Sequence, residues 1–136
     1  MKKEIISKLE QLSEYMKILR EYQQHPIEEI RDNKTLKAAV ERYMQVSLEC
    51  ILDVGEIIIS KEGLGKPESY REVIQILGEN NIIPKEFAEK FAPAAGFRNI
   101  LVHAYSKIDV DELYNNLQTR LDDFEEFAKH IAKHLK

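Results

Sequence analysis

The part of the sequence whose residue types could do chemistry is the segment from Arg98 to Tyr105. It places an arginine, an asparagine, a histidine and a tyrosine within eight residues. The apolar residues of the same segment follow the i, i+3, i+4, i+7 spacing of a buried helix face, so the polar ones fall on the remaining circumference. The predicted core side consists of Phe97, Ile100, Leu101 and Ala104, and the polar set of Arg98, Asn99, His103 and Tyr105.

Such a set suits cleavage of RNA without a metal ion. The 2′-hydroxyl must lose a proton to attack the phosphate and the 5′-oxygen must gain one, and histidine can do either near neutral pH. A guanidinium can hold two phosphate oxygens and offset charge in the transition state. One histidine cannot easily serve at both ends of the bond. A twofold homodimer would supply two copies of His103 and Arg98, so we expect the site at a dimer interface.

The spacing of Arg98 and His103 leaves their convergence open. Five residues correspond to about 140° around a regular helix, so the two side chains do not share a face. The two side chains can meet if the long Arg98 side chain extends around the helix, or if the helix is distorted near Gly96. Alternatively, each side chain meets residues of a second subunit. By spacing alone, an ordinary solvated polar face remains the commoner explanation of this pattern.

Two other pairs of polar residues have a helical spacing. Glu49 and Asp53 are four residues apart, and we expect either a polar stripe with an ion pair to an arginine, or a role for Asp53 in orienting Arg98 or His103. His130 and His134 have a metal-ligand spacing. They lie among lysines at the end of the last helix, where cations complement the helix dipole. We therefore expect no metal and no cofactor.

The elements that must position these residues are helices. Apolar periodicity predicts a helix over about 2–24, a short turn after Pro26, and a long helix of about 28 residues from an Asn33 cap to the glycines at 63 and 65. Ser69 with Glu72 predicts the start of another helix. Pro84 begins the next one, which Pro93 and Gly96 kink or divide into two segments. A final helix begins at Asp109. We predict an all-α fold, an antiparallel bundle of four or five helices in one domain, 1–136.

Composition excludes several classes of protein. The formal net charge of −4 argues against a protein that coats nucleic acid, and we expect no DNA partner. A single cysteine, Cys50, cannot form an internal disulfide, and it is expected in the core. No signal peptide and no apolar run long enough for a membrane span is apparent. We therefore expect a cytoplasmic protein without a membrane partner.

The segment Gly96–Tyr105 resembles the HEPN superfamily, in particular its HepT-like toxin branch. The branch signature R-x4-H-x-Y is matched by Arg98, His103 and Tyr105, and Asn99 directly after the arginine also fits. The resemblance covers roughly residues 1–135. Its upstream parts are Glu41-Arg42, Glu49, Asp53, Gly63-Leu64-Gly65 and Ser69-Tyr70.

The resemblance implies a metal-independent endoribonuclease toxin, with Arg98 and His103 catalytic and Asn99 and Asp53 in support. It also implies a minimal nucleotidyltransferase antitoxin that inactivates the toxin by transferring AMP to Tyr105. The alternative is a non-catalytic HEPN subunit that serves as a scaffold for a nucleotidyltransferase. A helical module for protein association alone is a third possibility.

Overall fold

The structure, a computed structural model, describes residues 2–103 and 108–136. Within these ranges the chain forms seven α-helices and no strand, which confirms the all-α prediction. The predicted number of helices, four or five, is therefore too low. The helices are α1 (Lys2–Tyr22), α2 (Ile27–Asp32), α3 (Lys34–Glu62), α4 (Tyr70–Glu79), α5 (Lys85–His103), α6 (Val110–Thr119) and α7 (Leu121–His134).

Helix α3 is the element that contacts all six other helices. It spans 29 residues, about 43 Å at the usual rise per residue. The Asn33 side chain accepts a hydrogen bond from the Leu36 N–H at 3.0 Å and so caps its start. Gly63 ends it in the left-handed conformation, with φ of 64°, where a side chain would add strain. Both predicted ends of the long helix are confirmed.

The neighbours of α3 pack as antiparallel pairs. In α1, Lys8 contacts Asp53 of α3 at 3.2 Å, and further along α1 the rings of Tyr15 and Tyr43 lie 6.0 Å apart. Helix α5 runs antiparallel to α7: the Phe87 ring lies 5.1 Å from that of His130, and further along α5 the Phe91 ring lies 6.0 Å from those of Phe124 and Phe127. Buried apolar side chains from all seven helices form one core. Among the described helices none is long and apolar enough to cross a membrane.

Two predicted helix boundaries differ in the structure. Helix α5 continues without interruption through Pro93, so it is one helix and not two segments. Proline has no N–H to donate to the carbonyl group four residues earlier, that of Glu89. Glu89 and Pro93 are both exposed, so water can hydrogen-bond to this carbonyl group. The predicted last helix is divided by a bend at Arg120 into α6 and α7. Together with the short α2, this division raises the number of helices to seven.

The predicted core side of the polar segment is only partly correct. Phe97 and Leu101 are buried, with 4% and 3% of their surface exposed. Ile100 is 36% exposed and does not belong to the core. Ala104 lies outside the described residues. The apolar periodicity therefore predicts the buried side of α5 correctly at Phe97 and Leu101. The surface that α3 and α4 cover does not extend to Ile100.

Close packing of α4 on α5 depends on Gly78. A Cβ atom at this position would lie 2.4 Å from the Ala88 Cβ, whereas a Cβ at Gly96 of α5 would meet no described atom within 4 Å. We predict that Gly78→Ala lowers the free energy of unfolding by about 1–3 kcal/mol, because the two helices must move apart. Gly96→Ala should leave it unchanged or raise it by up to about 1 kcal/mol, since alanine favours helix.

Urea denaturation followed by circular dichroism measures both changes. Equal stability of the Gly78→Ala variant and the unsubstituted protein would contradict the close approach of α4 and α5.

Candidate active site

The last turns of α5 carry the polar segment, and burial of Phe97 and Leu101 orients them. With these two side chains in the core, Arg98 lies half-buried toward α3, while Asn99 and His103 are exposed. The helix therefore presents its arginine and its histidine on different sides. This is the outcome that their separation of about 140° predicts for a regular helix.

Arg98 is held by two neighbouring helices. Its Nε and Nη2 atoms both donate to Oε2 of Glu49 on α3, at 3.3 and 3.1 Å. Its guanidinium carbon lies 4.9 Å from the centroid of the Tyr70 ring, at the start of α4. Arginine stacks favourably on aromatic faces, and its hydrogen bonds to a carboxylate are strong because both partners are charged. The guanidinium is therefore held by both an ion pair and a ring.

A row of three carboxylates one helical turn apart lies on this side of α3: Glu49, Asp53 and Glu56. Burial raises the pKa of Glu56, the charge of Asp53 raises it further, and the positive charge of Arg98 lowers it. The ion pair described for Asp53 is with Lys8 of α1, at 3.2 Å. Of the two acids predicted to be near the site, Glu49 contacts Arg98. The predicted ion pair between this acidic pair and an arginine is therefore present.

One side of α5 is open to solvent. We call it the open α5 face and define it by Pro93, Gly96, Ile100 and His103, which are all exposed. Ile100 and Ile6 of α1 are the two large apolar side chains described as exposed. His103 ends the helix at the edge of this face, close to exposed Asn99. Tyr105, the predicted AMP acceptor, lies outside the described residues.

No described contact joins Arg98 to His103. The guanidinium of Arg98 contacts Glu49 and Tyr70, and no side-chain hydrogen bond or ion pair is described between His103 and the residues of 2–103 and 108–136. Each side chain alone has a useful property, anion binding for the arginine and proton transfer for the histidine. Catalysis by both requires that a substrate or a second subunit bring them together.

The residues weighed as metal ligands have other partners. His130 contacts Glu126 at 3.0 Å, and His134 contacts Glu62 at 2.7 Å. In the described ranges there is no group of three or more histidine, cysteine or acidic side chains placed to hold a metal ion. Cys50 is buried, as expected, and burial raises the pKa of its thiol. It is therefore a core residue and not a reactive one.

The contact between Tyr70 and Arg98 was not predicted from the sequence. Tyr70 is the first residue of α4, directly after the Ser69 cap, whose hydroxyl accepts from the Glu72 N–H at 3.1 Å. The cap was recognisable as a local pattern. The arginine that the ring meets is 28 positions away in sequence and on another helix, and no local pattern points to it.

Comparison with known proteins assigns the chain to a family. The family model described as ribonuclease HepT-like matches residues 12–131. The chain is 30% identical over 103 residues to the mRNA nuclease HepT of Shewanella oneidensis, which covers 76% of this chain and 77% of the relative. It is 26% identical over 131 residues to the tRNA nuclease HepT of Aphanizomenon flos-aquae, covering 96% of this chain and 89% of the relative.

A solved structure of a relative has the same architecture. It is described as the tri-AMPylated HEPN toxin of Shewanella oneidensis in complex with an MNT antitoxin. It superposes with a TM-score of 0.86 at 27% sequence identity, over 98% of this chain and 99% of the other. The match to the family model extends from α1 to α7 and includes Arg98, Asn99 and His103. The chain belongs to the ribonuclease HepT-like family.

Proposed function

We propose that this protein is a metal-independent endoribonuclease toxin of a toxin–antitoxin pair, acting on RNA in the cytoplasm. The observation that carries the proposal is the state of Arg98: one edge of its guanidinium is bound to Glu49, and no described residue accepts a hydrogen bond from Nη1. The Nη1 and Nη2 edge is thus available for two oxygens of a phosphate. The names of the Shewanella and Aphanizomenon relatives, both nucleases of RNA, support RNA as the substrate.

In the proposed mechanism His103 transfers protons and Arg98 binds the scissile phosphate. A neutral imidazole takes the proton of the 2′-hydroxyl as its oxygen attacks phosphorus, and an imidazolium gives a proton to the departing 5′-oxygen. The guanidinium offsets the negative charge of the transition state. The products are a 2′,3′-cyclic phosphate and a 5′-hydroxyl end. Asn99, exposed beside Arg98, and Asp53, which adds negative charge to the facing side of α3, are proposed as supporting residues.

The proposed active form is a homodimer in which the open α5 faces of two chains meet. Base and acid must act on opposite sides of the phosphorus, and each chain contributes a single His103, about 140° around the helix from its own Arg98. Ile100 is 36% exposed on this face, and contact with a second copy would remove its surface from water. Two-fold symmetry brings both histidines and both arginines to one interface.

Control by a minimal nucleotidyltransferase is the second part of the proposal. It rests on the Shewanella complex, whose toxin is described as AMPylated and bound to its antitoxin. The Tyr105 phenol oxygen would attack the α-phosphorus of ATP, lose its proton and release pyrophosphate. The phosphodiester formed carries about one negative charge, which repels RNA and competes for Arg98.

The alternative function is a non-catalytic HEPN subunit that serves as a scaffold for a nucleotidyltransferase. A scaffold needs an interface but neither an available guanidinium edge nor an exposed histidine. RNA cleavage that depends on Arg98 and His103 distinguishes the nuclease from the scaffold.

We predict that Arg98→Ala and His103→Ala each lower kcat/KM for RNA cleavage by at least about 10²-fold, the usual contribution of one catalytic group. Cleavage by the unsubstituted protein should persist in EDTA and leave 2′,3′-cyclic phosphate ends. Labelled RNA with end-group analysis measures both. Arg31→Ala and His134→Ala are matched controls, because these side chains pair with Asp111 of α6 and Glu62 of α3, which are outside α5 and the proposed site. No cleavage by the unsubstituted protein would favour the scaffold, and a requirement for Mg²⁺ would refute the mechanism.

Ile100→Asp should convert the dimer to a monomer and remove nuclease activity, because a carboxylate on the open α5 face cannot be buried without a partner. Light scattering at micromolar concentration measures the assembly. Ile6→Asp is the matched control, since Ile6 is the other large exposed apolar residue, 41% exposed on α1. Disruption by the Ile6 change alone would place the interface on α1.

Tyr105→Phe should prevent AMP transfer while leaving cleavage intact, because only the acceptor oxygen is lost. Incubation with the cognate nucleotidyltransferase, ATP and Mg²⁺ followed by mass spectrometry should show the adduct on the unsubstituted chain alone. Co-expression of the transferase should rescue growth from the unsubstituted toxin and not from the Phe variant. An adduct elsewhere, or equal rescue, would indicate control by complex formation.

A further inference from the structure

We propose that Glu49 and Tyr70 are positioning residues for catalysis: together they hold the Arg98 guanidinium so that its Nη1 and Nη2 edge faces the scissile phosphate of RNA. The proposal rests on the proposed function, since it assigns a task to residues around the same arginine. It concerns two side chains that do not themselves contact the reacting atoms.

The first observation is the way in which Glu49 binds the guanidinium. A planar guanidinium has two edges that can donate two parallel hydrogen bonds, Nε with Nη2 and Nη1 with Nη2. Glu49 occupies the first edge with a single oxygen, Oε2, at 3.3 and 3.1 Å. The remaining N–H of Nη2 and one N–H of Nη1 form the second edge, which Glu49 leaves free. The carboxylate therefore sets the rotation of the guanidinium within its own plane.

The second observation is the ring of Tyr70. The guanidinium carbon lies over the Tyr70 ring, 4.9 Å from the ring centroid, so the ring packs against the group. Contact with the ring restricts movement of the guanidinium toward α4, while the carboxylate limits its rotation within its own plane. An arginine side chain has several rotatable bonds and loses rotamer entropy when it is ordered. Because Glu49 and Tyr70 impose this order in the free protein, it need not be imposed in the transition state.

The ion pair of Arg98 and Glu49 is partly exposed, so a ligand can reach it. The Arg98 and Glu49 side chains are 21% and 31% exposed, so the pair is accessible from one side. Glu49 also brings negative charge close to the proposed position of the RNA. A negative charge at this position weakens RNA binding, so affinity for RNA does not explain it. An acid that orients Arg98 raises the rate of the chemical step, at some cost in RNA affinity.

This combination predicts a separation of kcat from KM. Glu49→Ala should lower kcat by about 10- to 100-fold, the scale of a modest misplacement of a catalytic group. Its KM should stay unchanged or fall, because a repelling charge is removed. Glu49→Gln should recover most of kcat, since an amide oxygen can accept the same two hydrogen bonds. Tyr70→Leu should lower kcat, and Tyr70→Phe, which keeps the ring, should not.

Glu125→Ala is the matched control for the carboxylate. Glu125 accepts from Nε and Nη2 of Arg20 with one oxygen, Oε1, at 3.2 and 2.7 Å, in the same arrangement but on α7. This variant should keep the kcat and KM of the unsubstituted protein. Thermal denaturation of all variants shows whether they are folded at the assay temperature.

A measurement independent of activity follows the arginine itself. In ¹⁵N NMR spectra the Arg98 Nε–H, assigned by its absence in Arg98→Lys, should exchange slowly with water in the unsubstituted protein and in Glu49→Gln. Exchange should become fast in Glu49→Ala. This readout reports the hydrogen bond directly, whatever the RNA substrate is.

The outcomes separate this inference from the proposed function. Activity of Arg98→Ala equal to that of the unsubstituted protein would refute the proposed function. Loss of activity in Arg98→Ala together with unchanged kcat in Glu49→Ala and Tyr70→Leu would refute only the positioning roles. A rise in kcat for Glu49→Ala would also overturn them, because Glu49 would then compete with the RNA phosphate for Arg98. So would a loss that follows thermal instability alone.

Discussion

Burial of α3 by all its neighbours is the constraint on which the rest of the structure depends. Helix α4 approaches α3 closely at Gly55, where a Cβ would lie 2.6 Å from Val73 Cγ1 of α4. This approach seats α4 against the C-terminal half of α3. It also determines the position of Tyr70, the first residue of α4. The apolar packing of α4 on α3 therefore positions the ring that contacts Arg98.

Polar groups occur on α3 where its neighbours leave a gap. Glu49 is half-buried there, and the removal of a carboxylate from water is costly unless a partner offsets it. Arg98 supplies the partner, and the ion pair joins α3 to the end of α5. The same contact thus serves both stability and orientation. Burial raises the pKa of Glu56, and the positive charge of Arg98 partly offsets that rise, so Arg98 also acts on a second acid of this surface.

The likeness to the Shewanella toxin, a TM-score of 0.86 at 27% identity, shows that different sequences satisfy the same helical packing. A shared fold alone does not establish an activity. The activity proposed for this chain therefore rests on its own residues at the end of α5 and on their partners. Arg98 is held on two sides, whereas His103 is exposed.

Local patterns were sufficient to predict most of the helices and their ends. Asn33, Ser69 and Gly63 act through hydrogen bonds or backbone conformations within a few residues, so the sequence itself determines them. The segment with Arg98 and His103 was also recognisable from residue types and spacing. Which helices cover each face is a long-range property. Only the tertiary structure could therefore show that Ile100 is exposed, and that Glu49 and Tyr70 hold the arginine, because these contacts join residues far apart in the chain.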